Sequence, residues 1–290
     1  MSTPKVLNCN GKLISLDTPV VMGIVNITPD SFYEGSRFRD TDAIKRRAEE
    51  IVAQGGGIID VGGFSTRPGA SDVSEQEECD RVCMAVEAIR SIDHDTPISI
   101  DTFRAKVAKE GIGHCGADII NDISGGLIED GIFEAAAELH APYILMHTVG
   151  HTVQEMQQKT EYENITKDIF RYFAEKLARL RELGVNDVIL DPGFGFAKNI
   201  AQNYELMANM DLFQQFGLPL LVGISRKRMI WQVLGCNAEE SLNGVTVLNT
   251  ISLLKGADIL RVHDVKEAVE TIKICKELKK TATTPYNIRQ

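Results

Sequence analysis

The 290-residue chain lacks an apolar run of membrane-spanning length, and no hydrophobic signal segment follows Met1. It also lacks a basic excess: 31 lysines and arginines stand against 41 aspartates and glutamates, a net charge of −10. Nucleic-acid-binding proteins usually carry a basic face, so this balance argues against that class. We therefore expect a cytoplasmic protein without a nucleic-acid or membrane partner, in which an anionic substrate would need a local basic pocket.

Cysteine and histidine form no recognisable cluster. Their spacing matches neither a zinc site nor the disulfide framework of a small secreted protein. Cys79 and Cys83 are four residues apart on a predicted helix, which could bring them together. We nevertheless expect free thiols in a reducing compartment at every cysteine. The cysteines are Cys9, Cys79, Cys83, Cys115, Cys236 and Cys275.

Eight short apolar segments alternate with helical regions along the chain. They are continuous runs, such as Val-Val-Met-Gly-Ile-Val at 20–25, which is typical of parallel strands buried on both faces. Strands are predicted at 19–25, 57–61, 97–100, 117–120, 142–145, 187–190, 219–223 and 258–260. Helices are predicted at 42–54, 74–92, 104–114, 130–139, 164–183, 201–210, 226–234, 238–255 and 265–278.

Eight such units in one chain predict the α/β class and a TIM (β/α)8 barrel. An open doubly wound sheet is the alternative, although it usually has fewer strands and binds ligands at a switch point. Asn10-Gly11, within an alternating segment, predicts an N-terminal β-hairpin over 1–18 that covers the amino end of the barrel. No linker divides the chain, so we expect a single domain over 1–290 with a frayed tail at 281–290.

Polar residues follow every predicted strand, and in a TIM barrel the active site lies at these carboxyl ends. Asp101, Asn121 and Asp191 offer carboxylate and amide groups to a flat heterocycle that presents several N–H donors. Lys227 could donate to a carbonyl or ring nitrogen of the same ligand. One side of the barrel mouth is therefore predicted to bind a flat polar heterocycle.

The opposite side of the mouth is richer in donors and positive charge. Asn26, Arg67, Arg261 and His263 follow strands one, two and eight, which are neighbours once the barrel closes. Ser225-Arg226-Lys227 stands where a short helix after strand seven would begin, a position at which TIM barrels often bind phosphate. This side is predicted to bind an anion such as diphosphate.

Each of these residues, taken alone, has a structural explanation. Asp101 or Asp122 could cap a helix, Asp60 could be a buried hydrogen-bonding residue, and His147 could be a satisfied core histidine. Lys45-Arg46-Arg47 on the first helix is expected to form a solvated face. The recurrence of polar groups at all eight strand ends is what predicts a site.

Eight motifs at these strand ends resemble the dihydropteroate synthase family. They follow the family's order over nearly the whole chain, and the combination is far more specific than any single motif. The motifs are GIVNITPDSF at 23–32, IIDVGGFSTRPGA at 58–70, SIDTFRAKVA at 99–108, ADIINDISGG at 117–126, LMH at 145–147, DPGFGFAKN at 191–199, GISRK at 223–227 and RVHDV at 261–265.

The resemblance implies that p-aminobenzoate condenses with 6-hydroxymethyl-7,8-dihydropterin diphosphate, giving 7,8-dihydropteroate and diphosphate in folate biosynthesis. It also implies a Mg²⁺ cofactor and a homodimer formed through the late helices. Since the leaving group is a diphosphate and the pterin is electron-rich, we expect an SN1-like path.

The resemblance also assigns residues to each ligand. The pterin site comprises Asp101, Asn121, Met146, Asp191, Gly195, Lys227 and Arg261. The diphosphate site comprises Asn26, Arg67, Arg261 and His263, with Asn26 also near Mg²⁺ as its ligand. The p-aminobenzoate site comprises Thr66, Arg67, Pro68, Phe196, Ser225 and Lys227. The catalytic residues are Asn26, Asp101, Lys227, Arg261 and His263.

Two other functions are compatible with the same barrel. A pterin methyltransferase that works with a cobalamin protein would share the Asp and Asn pocket but lack the diphosphate-binding segments at 26–32 and 225–227. An inactive pterin-binding homologue would be expected to lose Arg67, Lys227 or His263, and all three are present.

One residue in the matching motifs differs from the family. Phe64 stands where the family often has a polar or acidic residue.

Overall fold

The computed structural model describes residues 5–27, 37–64, 73–158 and 161–282, and these ranges contain ten strands and nine α-helices. The strands are β1 Val6–Cys9, β2 Lys12–Ser15, β3 Val20–Asn26, β4 Ile58–Gly62, β5 Ile98–Asp101, β6 Ile119–Asp122, β7 Tyr143–Met146, β8 Val188–Asp191, β9 Leu221–Val222 and β10 Ile259–Val262. The helices are α1 Arg37–Ala53, α2 Glu75–Arg90, α3 Ala105–Gly113, α4 Ile132–Leu139, α5 Ile165–Glu182, α6 Ile200–Ala208, α7 Arg228–Leu234, α8 Leu242–Leu254 and α9 Val265–Ala282.

Eight of the strands form one parallel sheet in the order β8-β7-β6-β5-β4-β3-β10-β9. A parallel bridge between Leu190 and Leu220 joins the two ends of this order, so the sheet closes on itself. Helices follow the strands around the outside. The predicted TIM barrel is confirmed, and the open doubly wound alternative is wrong.

The hairpin of β1 and β2 covers the amino end of the barrel, as predicted. Leu7, Cys9 and Leu16 pack against the residues at or near the start of the barrel strands, and all of these residues are buried. Asn10 and Gly11 both have positive φ, at 51° and 87°, which the two-residue turn requires. The strand residues in this layer are Met22, Ile58, Ile119, Ile144, Ile189, Leu221 and Ile259.

The two-residue period of a strand explains where the polar residues lie. In β4, Ile59 and Val61 belong to the apolar layer between sheet and helices, whereas Ile58 belongs to the inner layer against the hairpin. Asp60 alternates with Ile59 and Val61 and therefore points into the barrel. The same alternation places Arg261, two residues after the inner residue Ile259, inside the barrel above the apolar layer.

Some element boundaries differ from prediction. Helix α1 begins at Arg37 rather than at residue 42, since no glycine or proline interrupts that segment. Strand β9 contains only Leu221–Val222, because Pro219 has no N–H for the ladder and Leu220 forms only an isolated bridge. Within the described ranges, no helix combines the length and the apolar character that crossing a membrane requires.

The expectation that all six cysteines are free thiols is wrong for one pair. Cys83 on α2 forms a disulfide with Cys115, which follows α3, and their Cα atoms are 5.3 Å apart. Helices α2 and α3 pack side by side on the barrel, which brings together two cysteines 32 residues apart. The sequence spacing of Cys79 and Cys83 pointed to the wrong neighbour, and Cys79 is free.

Candidate active site

The inner positions at the carboxyl ends of β4, β5, β6 and β10 form one hydrogen-bonded group. Arg261 donates from Nε to Asp60 Oδ2 at 2.7 Å and from Nη2 to Asp101 Oδ2 at 2.6 Å. Asn121 donates from Nδ2 to Asp60 Oδ1 at 3.2 Å. The structure therefore brings the predicted residues Asp101, Asn121 and Arg261 together, with Asp60 linking them from below.

The charges in this group do not balance, because the single guanidinium of Arg261 is paired with the two carboxylates of Asp60 and Asp101. Burial raises the pKa of Asp101 to about 7, and Arg261 opposes that shift. The neighbouring carboxylates, Asp60 first, raise the pKa of Arg261 further, although burial acts against it. The guanidinium therefore stays charged, while Asp101 can exchange a proton near neutral pH.

Asp191 and Lys227 form the second polar part of the mouth. Asp191, at the end of β8, is 7% exposed and accepts a hydrogen bond from the Gly193 N–H at 2.8 Å. Burial raises its pKa, and the charges of Lys227 and Arg261 act in the opposite direction. Burial lowers the pKa of Lys227 to about 8, with Asp191 opposing this. These two residues thus share one electrostatic environment with Arg261.

The glycine-rich turn after β8 contacts Lys227, which lies after β9 at the start of α7. Its ammonium donates to the Phe194 carbonyl and lies 4.6 Å from the centre of the Phe196 ring. Gly195 has a φ of +83°, and a Cβ there would come within 2.8 Å of Lys227 Cδ. Gly195 is therefore required both by the turn and by the lysine that passes over it.

An apolar wall borders the mouth next to these groups. Buried Met146, at the end of β7, packs with Phe103, Ile123 and Met156, and Phe196 joins this cluster. Phe64, the residue that departs from the family, also belongs to it and lies edge-on to Phe103 with ring centres 5.5 Å apart. The predicted pterin residue Met146 and the predicted p-aminobenzoate residue Phe196 thus share one surface.

The side predicted to bind an anion is built around His263. Ser225 Oγ lies 3.0 Å from His263 Nδ1 and accepts from the His263 N–H at 3.2 Å. Arg47 on α1 donates from Nη2 to the His263 carbonyl at 2.5 Å and from Nε to the Ile24 carbonyl at 3.4 Å. Exposed Asn26 ends β3, the strand that pairs with β10. Arg47 was expected on a solvated face and instead joins two strands of the site.

Several predicted residues cannot be placed. Thr66, Arg67 and Pro68, and residues 28–32 of the first motif, lie outside the described residues. Among the residues that the structure does describe, no three His, Cys, Asp or Glu side chains group as metal ligands. The tail expected to fray, 281–290, is described only to residue 282.

Comparison with known proteins shows the family to which the chain belongs. The family described as pterin binding enzyme matches residues 22–263. Over 271 residues the chain is 45% identical to the dihydropteroate synthase of Escherichia coli K12, covering 92% of this chain and 94% of that protein. The chain belongs to the dihydropteroate synthase family. The eight motifs were therefore interpreted correctly.

Solved dihydropteroate synthase structures have the same fold. The Yersinia pestis enzyme in a sulfonamide drug complex has a TM-score of 0.87 at 42% identity, covering 95% of this chain and 99% of that one. The Xanthomonas albilineans enzyme with 4-aminobenzoic acid has a TM-score of 0.87 at 33% identity, covering 96% and 99%.

The sequence analysis missed two buried residues of the candidate site in this dihydropteroate synthase family member. It gave Asp60 at most a secondary role, yet Asp60 holds both Arg261 and Asn121. It ignored Lys198, which is 8% exposed and bonds His147. An ionisable residue within an apolar strand, as at Asp60, was a usable signal; Lys198, in a turn, gave none.

Proposed function

We propose that this chain condenses 6-hydroxymethyl-7,8-dihydropterin diphosphate with p-aminobenzoate, releasing diphosphate and forming 7,8-dihydropteroate. The observation that carries the proposal is the arrangement of Arg261 between Asp60 and Asp101, beside Asp191 and Lys227. Carboxylates and a guanidinium in one closed mouth suit a ligand that is both a flat N–H donor and an anion. The related Escherichia coli protein is named dihydropteroate synthase, and the reaction that this name denotes agrees with the arrangement.

The pterin is recognised by the inner side chains. Asp191 and Asp101 accept from the N–H donors along the ring edge, and Asn121 supplies both an acceptor and a donor. Lys227 donates to a ring nitrogen or carbonyl, and the Arg261 guanidinium lies against the ring face. Met146 and Gly195 complete the pocket, the first as an apolar wall and the second by leaving room for the ligand and for Lys227.

The diphosphate lies at the junction of β3 and β10. Arg261 and His263 supply positive charge or donors there, and Arg67 does so from the second loop. Asn26 is the one residue that we propose as a Mg²⁺ ligand. A single exposed amide oxygen fits this metal, because Mg²⁺ usually keeps several waters and binds through one or two protein oxygens together with substrate phosphates. When bound, Mg²⁺ supplies charge neutralisation to the diphosphate.

The chain's own residues favour departure of the leaving group before attack. Arg261 and His263 meet the negative charge that develops on the diphosphate oxygens. Asp101 and Asp191 stabilise the electron-poor pterin carbon that is left behind, through the electron-rich ring. We therefore retain an SN1-like path, in which no side-chain nucleophile takes part.

The p-aminobenzoate site lies on the outer side of the pterin. Phe196 offers a ring face, Lys227 a positive charge, and Ser225 a hydroxyl beside the mouth. Thr66, Arg67 and Pro68 of the second loop complete this part of the proposal. The Xanthomonas albilineans structure with 4-aminobenzoic acid supports a ligand of this class.

We also propose a cytoplasmic homodimer. Helices α7 and α8 leave four large apolar side chains at least half exposed, which a partner helix pair could cover. These side chains are Val233, Leu234, Val247 and Leu254. Light scattering of the purified protein and of Val247→Glu tests the dimer, and cell fractionation tests the location.

The decisive experiment measures diphosphate release with and without each substrate. Release that requires Mg²⁺ and is completed only with p-aminobenzoate supports the synthase, and formation of dihydropteroate is followed by mass spectrometry. Isotope exchange into the pterin diphosphate without p-aminobenzoate supports the SN1-like path. Methyl transfer to a cobalamin protein, or pterin binding without any turnover, would instead support one of the alternative functions.

A further inference from the structure

Lys198 is a buried cation that the reaction above does not use. It follows the glycine-rich turn after β8 and is 8% exposed. Its Nζ donates to the Gly193 carbonyl at 2.9 Å and to the Phe196 carbonyl at 3.1 Å, and it lies 3.0 Å from His147 Nδ1. No carboxylate is bonded to it in the described residues, which is unusual for a buried lysine.

The partners of Lys198 surround the segment that contacts Lys227. Gly193 and Phe196 flank Phe194 and Gly195 in sequence, so Lys198 fixes the turn at both ends. The Phe194 carbonyl between these ends accepts from Lys227, and the Phe196 ring lies over the same ammonium. Two lysines therefore donate to three carbonyls of one short turn. Lys198 bonds the first and last of these carbonyls, and Lys227 bonds the one between them.

The turn has little conformational freedom to replace these contacts. Gly193 and Gly195 have φ values of +70° and +83°, and a Cβ at Gly193 would come within 1.9 Å of the His147 carbonyl. The loops after β7 and β8 are thus in close contact at His147. Because His147 also bonds Lys198, the ammonium joins both loops at that point.

Burial accounts for the electrostatic state of this unit. It lowers the pKa of Lys198 to about 7, and it lowers the pKa of His147 well below its usual value. His147 is therefore a neutral ring, and its edge-on contact with Tyr172, with ring centres 4.9 Å apart, fixes its orientation. A charged Lys198 can then donate to all three partners at once.

We propose that Lys198 is a positioning residue for pterin recognition, which acts by fixing the 193–196 turn and through it the ammonium of Lys227. This inference rests on the proposed function, since it concerns the same pterin site. Lys198 does not touch the substrate. Its loss should therefore weaken binding of the ligands that Lys227 contacts, whereas loss of a purely structural lysine would change stability alone.

A double-mutant cycle tests this coupling. Free 6-hydroxymethyl-7,8-dihydropterin is titrated by calorimetry into the full chain, Lys198→Met, Lys227→Met and the double variant. We expect Lys198→Met to weaken binding about tenfold, and to add less than about twofold in the Lys227→Met background. Effects that multiply in the double variant would overturn the proposal, because Lys198 would then act independently of Lys227.

Steady-state kinetics provides a second readout. Lys198→Met should raise KM for the pterin diphosphate and also KM for p-aminobenzoate, because Lys227 and Phe196 belong to both proposed sites, with a smaller change in kcat. Lys5→Met is the matched control, since Lys5 bonds Asp258 at 2.7 Å at the closed end of the barrel. The control should leave both KM values unchanged, and unchanged KM values in Lys198→Met would contradict the proposal.

His147 keeps the proposal testable if Lys198→Met does not fold. His147→Asn retains an acceptor near the position of Nδ1, whereas His147→Phe removes it. We expect weaker pterin binding in the phenylalanine variant only, and equal affinity in both would overturn the inference. Failure of the unmodified chain to bind the pterin would instead contradict the proposed function itself.

Discussion

Arg261 Nε lies 2.7 Å from Oδ2 of Asp60, a carboxylate with no exposed surface. This pair joins β10 to β4 inside the barrel, across the intervening strand β3. Asp60 thus fixes the guanidinium that we propose contacts the substrates, although Asp60 is itself buried. We therefore expect the site to depend on this buried carboxylate as much as on the exposed groups.

Replacing Asp60 should therefore affect stability and binding together. In Asp60→Asn, Arg261 loses a buried ionic partner, and one of the two oxygens that accept from Arg261 and Asn121 is replaced by an NH2 donor. We expect the free energy of unfolding to fall by about 3 kcal/mol, the range for breaking a buried ion pair. Urea denaturation measures the loss, and Asp95→Asn, at an exposed carboxylate, is the control. A loss no greater than that of the control would contradict the role assigned to Asp60.

Variants of Asp191 and Arg261 should distinguish recognition of the pterin ring from recognition of the diphosphate. Asp191→Ala is expected to abolish binding of the free pterin, because it removes the acceptor at the pterin edge. Arg261→Ala is expected to weaken binding of the diphosphate form more than binding of the free pterin, by about tenfold or more. Calorimetry with both ligands measures this. Equal losses for the two ligands in Arg261→Ala would argue against a diphosphate contact.

Pterin affinity should pass through a maximum near neutral pH. Asp101, with a pKa of about 7, must be ionised to accept from N–H donors, so affinity falls as the pH drops below that value. Lys227, with a pKa of about 8, loses its charge as the pH rises above that value, so affinity falls again. Calorimetry across this range should show a bell-shaped dependence.

Two variants test which residue causes the acidic and which the alkaline fall in pterin affinity. Asp101→Asn should flatten the acidic side and Lys227→Met the alkaline side, each at lower affinity overall. An unchanged acidic limb in Asp101→Asn would mean that another group titrates there.

Arg47 should support the diphosphate site from behind. Arg47→Ala removes the hydrogen bond to the His263 carbonyl and frees the junction of β3 and β10. We expect KM for the pterin diphosphate to rise about five- to tenfold, consistent with loss of one charge-assisted hydrogen bond. The neighbouring Arg46→Ala, at an exposed position, should have no effect, and similar kinetics of the two variants would contradict this role.

The Cys83–Cys115 disulfide should stabilise the fold without serving the site. It closes a loop across α2 and α3, and links of this kind contribute about 2–4 kcal/mol. Dithiothreitol should lower the melting temperature of the unmodified chain and leave that of Cys83→Ser unchanged. An identical decrease in both proteins would place the effect elsewhere.

The sequence predicted the barrel because its signals are local and repeated. Continuous apolar runs, the Asn10-Gly11 turn and the polar strand ends each depend on a few adjacent residues. Ser74, the first residue of the predicted helix 74–92, caps α2 by accepting from the Glu77 N–H, whereas the Glu77 carboxylate accepts from Arg81, 4 residues further along the chain. Local patterns thus predicted the elements better than they predicted the partners.

What the sequence could not supply were contacts between distant residues. Asp60 and Arg261 are 201 residues apart, and Lys198 and His147 are 51 apart. The residues that neighbour each of these side chains in sequence do not specify its partner, because the two members of each pair meet only when the barrel closes. The ligand and catalytic roles assigned to the site residues all stay predictions, and so does the single-domain organisation.

The hairpin that packs beneath the strands has a consequence for how ligands enter and leave the barrel. Leu7 and Leu16 close the amino end of the barrel, so we expect substrates and products to share the opening at the carboxyl ends of the strands. A pterin lying against Asp191 is therefore covered by whatever occupies the Phe196 side above it. We therefore expect the pterin substrate to bind before p-aminobenzoate, and 7,8-dihydropteroate to leave with its p-aminobenzoate end first.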